Sequence, residues 1–328
     1  MRESLIDGHA VERVLLIVGA LRSGLIDALA GLEALPVEQV AAKAGADVRA
    51  TGVVLEALAA EELVEVEGGA DEPLYRLSPL ARAHLVEEGP DLERWSVLHQ
   101  ANKIRGWLEL PEVIRNGRPL PKDKPVRDLR TMASAMGERD PEVLAEIMDR
   151  CLAYAGPIST MLDVGGAVGH LARMFARRGV KVTLLDREEV IDLAREYLGP
   201  EAELLELVAG DYTEALPVGP FDLVYFGNVY HIYSPETNAR VSREAFWQTA
   251  PGGTVAIQDY VRGRSRAAAL FAVNMLRSTQ DGGVWSEGEY RSWLEAAGFV
   301  DIKVHDLESS PAQLILARRP RFAAPRSA

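Results

Sequence analysis

One cysteine, Cys151, is all the thiol in this chain of 328 residues. No intrachain disulfide framework can form, and a reducing compartment is expected. No apolar run reaches the roughly 20 residues needed to cross a bilayer. Met1 to His9 carry no apolar signal-peptide core, so a cytoplasmic location is expected. Basic charge is also short. There are 36 Lys and Arg against 49 Asp and Glu, a formal net charge of −13. That balance favours solubility and argues against nucleic acid or an anionic membrane as the main partner. Repeats and low-complexity tracts are missing. Histidines and acids nowhere gather at ligand spacing, so no metal is expected.

What the chain has is length for two domains and an apolar share of 48%, enough for a sizeable core. Residues 1–90 read as helices followed by a hairpin. Val11 to Ala20 and Leu25 to Ala30 place apolar residues at helical spacing. Val37 to Ala44 is a short helix closed by Gly45, and Asp47 is placed to cap a helix over Val48 to Ala60. Leu63 to Val66 and Leu74 to Leu77 alternate around Gly68-Gly69. Helix, turn, helix and hairpin make a winged helix, and DNA binding is the first function to weigh. The charge opposes it. Residues 1–90 hold seven Lys and Arg against sixteen Asp and Glu, and the would-be recognition helix has one basic residue, Arg49. A packing and dimerisation module is the favoured reading.

Residues 91–155 read as a helical linker, interrupted by the proline- and charge-rich stretch Arg118 to Arg127. Met132 and Met136 are candidates for lining a substrate pocket, because methionine packs adaptably against flat ligands. From residue 156 to 320 strand and helix alternate. Candidate strands are Thr160–Val164, Val180–Leu185, Leu204–Val208, Phe221–Phe226, Thr254–Ile257, Val300–His305 and Gln313–Ala317. That is a doubly wound α/β sheet. Residues 321–328 read as a loose tail.

The most informative stretch is Met161-Leu-Asp-Val-Gly-Gly-Ala-Val-Gly-His170. A strand opens through glycines into a helix, which lets backbone N–H groups approach a ligand. Asp186 ends the next strand, where a carboxylate can accept from both ribose hydroxyls. Asp211 follows the third strand, placed to meet an adenine amino group with Tyr212 beside the ring. The spacing Gly165-Gly-Ala-Val-Gly169 does not match G-x-G-x-x-G. A ligand without a pyrophosphate, such as S-adenosylmethionine, suits it better than a nicotinamide dinucleotide.

These residues resemble the S-adenosylmethionine-dependent O-methyltransferases of the plant caffeate type and their bacterial natural-product relatives. The resemblance runs through Leu25-Ile-Asp-Ala-Leu29, Leu77-Ser-Pro-Leu-Ala-Arg82, Asp163-Val-Gly-Gly166, Gly210-Asp-Tyr212, Val229-Tyr-His231, Pro251-Gly-Gly253 and Ala297-Gly-Phe299. It implies a Rossmann-like sheet of seven strands, the last antiparallel, behind an N-terminal winged-helix dimerisation domain. It implies a homodimer, a small-molecule acceptor and S-adenosyl-L-methionine as cofactor. Asp163, Gly165, Gly166, Gly169, Asp186, Arg187, Gly210, Asp211, Tyr212 and Asn228 fall among the expected cofactor contacts. His231 falls on the general base. Histidine titrates near neutrality and can take a proton from an attacking hydroxyl. Asp259 falls on a carboxylate that orients it.

The chain departs from that pattern in three places. Ile232 and Tyr233 replace an acidic residue and a tryptophan after the histidine. Gly227 replaces a basic residue four positions before it. A second orienting carboxylate, expected just before the helix capped by Ser286, is absent, and Val284 and Trp285 stand there instead. Trp285 reads as an aromatic wall for a flat substrate, with Met275 nearby, or as core packing. A histidine with one carboxylate partner is a weaker base with a less fixed tautomer. Three readings follow, an acidic phenol that needs little base help, carbon or nitrogen of an activated acceptor, or lost catalysis, and O-methylation of a hydroxylated aromatic or polyketide-like acceptor is the first choice. Alternatives are carbon methylation of a pigment or 2-oxo acid, a non-catalytic winged-helix regulator that binds the cofactor, and a nicotinamide oxidoreductase.

Overall fold

Asp47 caps the helix that its position predicts. In the computed structural model its carboxylate accepts the N–H of Ala50 at the first turn of a helix that runs Val48–Ala60, an arrangement typically worth about 1 kcal/mol. The structure describes residues 8–69, 71–87, 89, 92–119, 131, 135 and 141–321. The chain divides into two compact units, residues 1–105 and 106–328.

The first unit contains α1 (Gly8–Arg22), α2 (Leu25–Ala28), β1 (Leu35–Pro36), α3 (Val37–Ala44), α4 (Val48–Ala60), β2 (Val64–Glu67), β3 (Leu74–Leu77), α5 (Pro79–Leu85) and most of α6 (Arg94–Trp107). Gly45 closes α3 with φ 65°, the left-handed cap that glycine adopts without strain. The hairpin is antiparallel, pairing Val64 with Leu77. The sequence pattern missed β1, which adds to the other edge of β3. Pro36 is tolerated there because an edge position does not need its missing N–H. Ile26, Leu29, Val40, Leu55 and Leu58 form the buried centre of this unit.

The second unit contains α7 (Leu110–Asn116), α8 (Pro141–Ala155), β4 (Thr160–Val164), α9 (His170–Ala176), β5 (Lys181–Asp186), α10 (Glu188–Leu198), β6 (Leu205–Ala209), β7 (Phe221–Gly227), α11 (Pro235–Gln248), β8 (Thr249–Asp259), α12 (Arg266–Ser278), α13 (Glu287–Ala297), β9 (Val300–Asp306) and β10 (Gln313–Arg318). The sheet order is β6-β5-β4-β7-β8-β10-β9. β4 to β8 are parallel, and β10 runs antiparallel to both of its neighbours. This is the expected seven-stranded doubly wound sheet.

Side-chain alternation along the strands divides the core in two. Met161, Leu223 and Tyr225 pack with Leu144, Ile147, Leu171 and Phe175 from α8 and α9. Leu162, Val164, Val224 and Phe226 pack with Val241, Phe246, Trp293 and Leu294 from α11 and α13. Apolar burial on both faces is what a parallel sheet requires. Among the described residues, no helix is long and apolar enough to cross a membrane.

Candidate active site

β4 ends at Val164 and the chain turns at Gly165 with φ 69°. A side chain there would be strained, and its Cβ would lie 2.7 Å from Val229 Cγ2. A Cβ on Gly166 would lie 2.8 Å from Leu184 Cγ and 2.9 Å from the Asp163 carboxyl. Only glycine fits at either position, so the turn presents bare backbone. Gly169 caps α9 with φ 82°. The crevice above the turn is lined by Leu144, Asp163, Gly165, Gly166, Ala167, His170, Tyr225 and Gly227. Its position outside the carboxyl ends of the central strands is where ligands bind in open α/β sheets.

Asp186 stands beside this turn at the end of β5, buried. One oxygen accepts the N–H of Ala167 at 3.0 Å and the other accepts the N–H of Arg187 at 2.8 Å. Burial pushes its carboxyl above the ordinary range, against the pull of those two backbone donors. Each oxygen keeps a lone pair for a further donor. A buried carboxylate beside bare backbone fits a ribose and the adjoining chain of an S-adenosyl group.

Gly210 donates its N–H to Asp186 O at 2.9 Å. Asp211 is exposed, and one carboxyl oxygen accepts both the N–H and the hydroxyl of Thr213. The Tyr212 ring lies near Gly165, 3.8 Å from where a Cβ would be. Its hydroxyl accepts from Tyr233 at 3.2 Å and the two rings meet edge to face. Burial, foremost, raises both phenols. Tyr233, read from sequence as a departure, is therefore Tyr212's partner. Gly227, the other departure, is explained by Tyr225: a Cβ at Gly227 would lie 2.9 to 3.3 Å from that ring. The phenol occupies the space a longer residue 227 would need. Asn228 adopts φ 59° and donates its N–H to Gln258 O at 2.8 Å, which sets the direction of the chain leaving β7.

That chain forms a short 3₁₀ turn, Tyr230–Ile232, carrying His231. Its Nδ1 lies 2.8 Å from Asp259 Oδ1, and its backbone N–H donates to Oδ2 at 3.1 Å. Asp259, at the end of β8, is fully buried. Its Oδ1 also accepts the N–H of Tyr260 at 2.8 Å. A carboxylate acceptor places the proton on Nδ1 and leaves the Nε2 lone pair for an incoming proton. The ring of Phe271, on α12, stands perpendicular to the imidazole with the two ring centres 4.8 Å apart. This contact had no signal in the sequence.

Met275 is buried on α12. Its carbonyl accepts the N–H and the hydroxyl of Thr279. Trp285 donates its indole N–H to Tyr230 O at 2.9 Å and packs edge to face on Trp293. The capping box that places it is present: Ser286 Oγ accepts the N–H of Glu289, and Glu289 Oε2 accepts the N–H of Ser286. Met132 and Met136 lie outside the described residues.

Comparison with known proteins bears on the same two units. Residues 127–300 match the O-methyltransferase domain, just over half of the chain, and residues 3–87 match the O-methyltransferase dimerisation domain. The chain is 26% identical to the tetracenomycin polyketide synthesis 8-O-methyl transferase TcmO of Streptomyces glaucescens, over 93% of each chain. It is 28% identical to the acetylserotonin O-methyltransferase of Mus musculus molossinus, over 98% of this chain and 89% of that one. Human N-acetylserotonin methyltransferase, solved in complex with SAM, superposes with a TM-score of 0.75 at 22% identity, over 98% of this chain and all of that chain.

Proposed function

Given that the chain belongs to the S-adenosylmethionine-dependent O-methyltransferase family, we propose that it methylates a hydroxyl of a small aromatic or polyketide-like acceptor, with His231 as the general base. S-adenosyl-L-methionine, when bound, supplies an electrophilic methyl group on a cationic sulfur. Bare backbone at Gly165 and Gly166 and the carboxylate of Asp186 would hold it. His231 would take the acceptor's hydroxyl proton on Nε2 as the oxygen's electron pair moves to the methyl carbon and the methyl–sulfur bonding pair stays with sulfur, leaving S-adenosylhomocysteine as the neutral thioether. Asp259 holds the proton on Nδ1 and compensates the positive charge that develops on the ring. Phe271 walls one side of the imidazole and keeps it from turning. The related natural-product and acetylserotonin enzymes support the choice of a flat, hydroxylated acceptor. The dimerisation domain supports a homodimer.

The observation that carries this reading is the 2.8 Å contact between His231 Nδ1 and a fully buried Asp259. A labelled-methyl screen over phenols, flavonoids, polyketides and pigments identifies the acceptor and the atom methylated. On that acceptor, His231→Ala is expected to lower kcat roughly 100-fold or more while leaving S-adenosylhomocysteine affinity unchanged. A rate within twofold of wild type removes His231 from the role of base. A methyl group found on carbon removes the O-methylation reading.

A further inference from the structure

The second carboxylate is absent, yet the histidine turn is held from three directions. Tyr230 O accepts the indole N–H of Trp285 at 2.9 Å and the side-chain amide of Asn238 at 2.9 Å. His231 O accepts the N–H of Gly283 at 3.0 Å. Residues 282–285 lie so close to the turn that a Cβ on Gly282 would fall 2.4 Å from His231 O and 2.7 Å from Ile232 O. The same segment grips the chain just beyond the end of β8. Trp285 O accepts the N–H of Arg262 at 2.8 Å, and Val261 bridges to Trp285. Arg262 lies three residues beyond Asp259.

The geometry points to Trp285 as a positioning residue for His231. One residue ties the strand that carries the carboxylate to the carbonyl just before the histidine, so both halves of the pair share a mount. The histidine is aimed through its main chain instead of through a second charged side chain. The N–H of Trp285 is committed to that mount, and the ring rests on Trp293 and against Gly283, with 3.2 Å to a Cβ built there. Removing the indole N–H leaves Tyr230 O with Asn238 alone, and the turn gains freedom relative to Asp259. The Nδ1–H tautomer then loses its fixed acceptor.

This inference rests on the reading of His231 as the base, and the test separates the two. Trp285→Phe keeps a ring in place and removes the donor; Trp285→Gln restores an amide donor without the ring and serves if the first variant folds poorly. Nitrogen NMR of ¹⁵N-histidine-labelled full-length protein, with His231→Gln to assign the signal, reads the tautomer without any turnover. The expected result for Trp285→Phe is a shift from the single Nδ1–H tautomer to a mixture. Alongside it, kcat falls roughly tenfold with KM for S-adenosylmethionine unchanged. A single Nδ1–H tautomer with kcat within twofold of wild type overturns the inference. A tautomer mixture together with full activity in His231→Gln leaves the positioning intact and sinks the base assignment instead.

Discussion

Asp259→Asn is the sharpest perturbation of the proposed chemistry, because it keeps the shape and changes one atom. Asp259 accepts three hydrogen bonds: two at Oδ1, from His231 Nδ1 and Tyr260 N, and one at Oδ2, from His231 N. An asparagine has one acceptor end. If its oxygen takes the Oδ1 position, its NH₂ faces the peptide N–H of His231. If the oxygen takes the Oδ2 position, its NH₂ faces the N–H of Tyr260 and drives the imidazole proton from Nδ1 to Nε2, the unproductive tautomer. Either way one buried donor faces another donor, a conflict that costs about 1–3 kcal/mol. The two orientations are similarly penalised, so a large share of molecules holds the wrong tautomer. The rest lack the negative charge that compensates the protonated ring. Exchanging a charged for a neutral acceptor removes about 1.5–3 kcal/mol from the transition state. We therefore expect kcat to fall roughly 10- to 100-fold. S-adenosylhomocysteine affinity should stay within twofold, since Asp259 lies on β8 and the glycine turn on β4. Initial rates of labelled-methyl incorporation and calorimetry measure the two quantities. An unchanged kcat refutes the role of the carboxylate. An equal loss of affinity refutes the separation between the histidine pair and the cofactor crevice.

Two further outcomes follow from perturbed carboxyls. Asp186 is held above the ordinary range by burial. Ribose hydroxyls require its ionised form, so S-adenosylhomocysteine affinity should be constant at neutral pH and weaken as pH falls through that raised pKa; Asp186→Asn should bind weakly at every pH and flatten the profile, read by calorimetry. Glu146 behaves oppositely. Burial pushes it up, but Ser309 Oγ, the N–H groups of Glu308 and Ser309, and Arg150 together pull it down to about 2. Its folded pKa lies below the unfolded value, so its stabilisation is complete above about pH 4.5 and lost as pH falls towards 2. Glu146→Gln should therefore melt below wild type at pH 7, with the gap narrowing below about pH 4.5 and the two melting temperatures converging only as pH falls to about 2 in calorimetric scans.

Much of this architecture was legible in local signals. Asp47, Gly45 and the Ser286–Glu289 box set helix ends because capping depends on neighbours within four residues. All seven strands of the large sheet appeared as apolar runs. The start of β8 did not. The strand expected from Thr254 begins at Thr249, and the irregularity is absorbed where β7 pairs first through Phe221 with Thr249 and then through Leu223 with Thr254. The glycine turn and Asp186 could be named because each ends a strand or immediately follows one, and His231 and Asp259 through the resemblance to a known family. Contacts across long stretches of sequence could not. Nothing near Phe271 marks it as the wall of the imidazole, and the indole N–H of Trp285 finds its acceptor 55 residues earlier.

The last residues of a strand usually fray, but those of β8 are sealed. Gln258 pairs with Gly227 on one side and Leu314 on the other, Asp259 pairs with Gln313, and beyond the strand Val261 donates its N–H to Gln313 Oε1. A backbone so enclosed opens with the cooperative unfolding of the sheet instead of by local breathing. The amides around Asp259 should thus be among the slowest to exchange in the second unit. The carboxylate is thereby expected to keep the lifetime of the sheet that carries it.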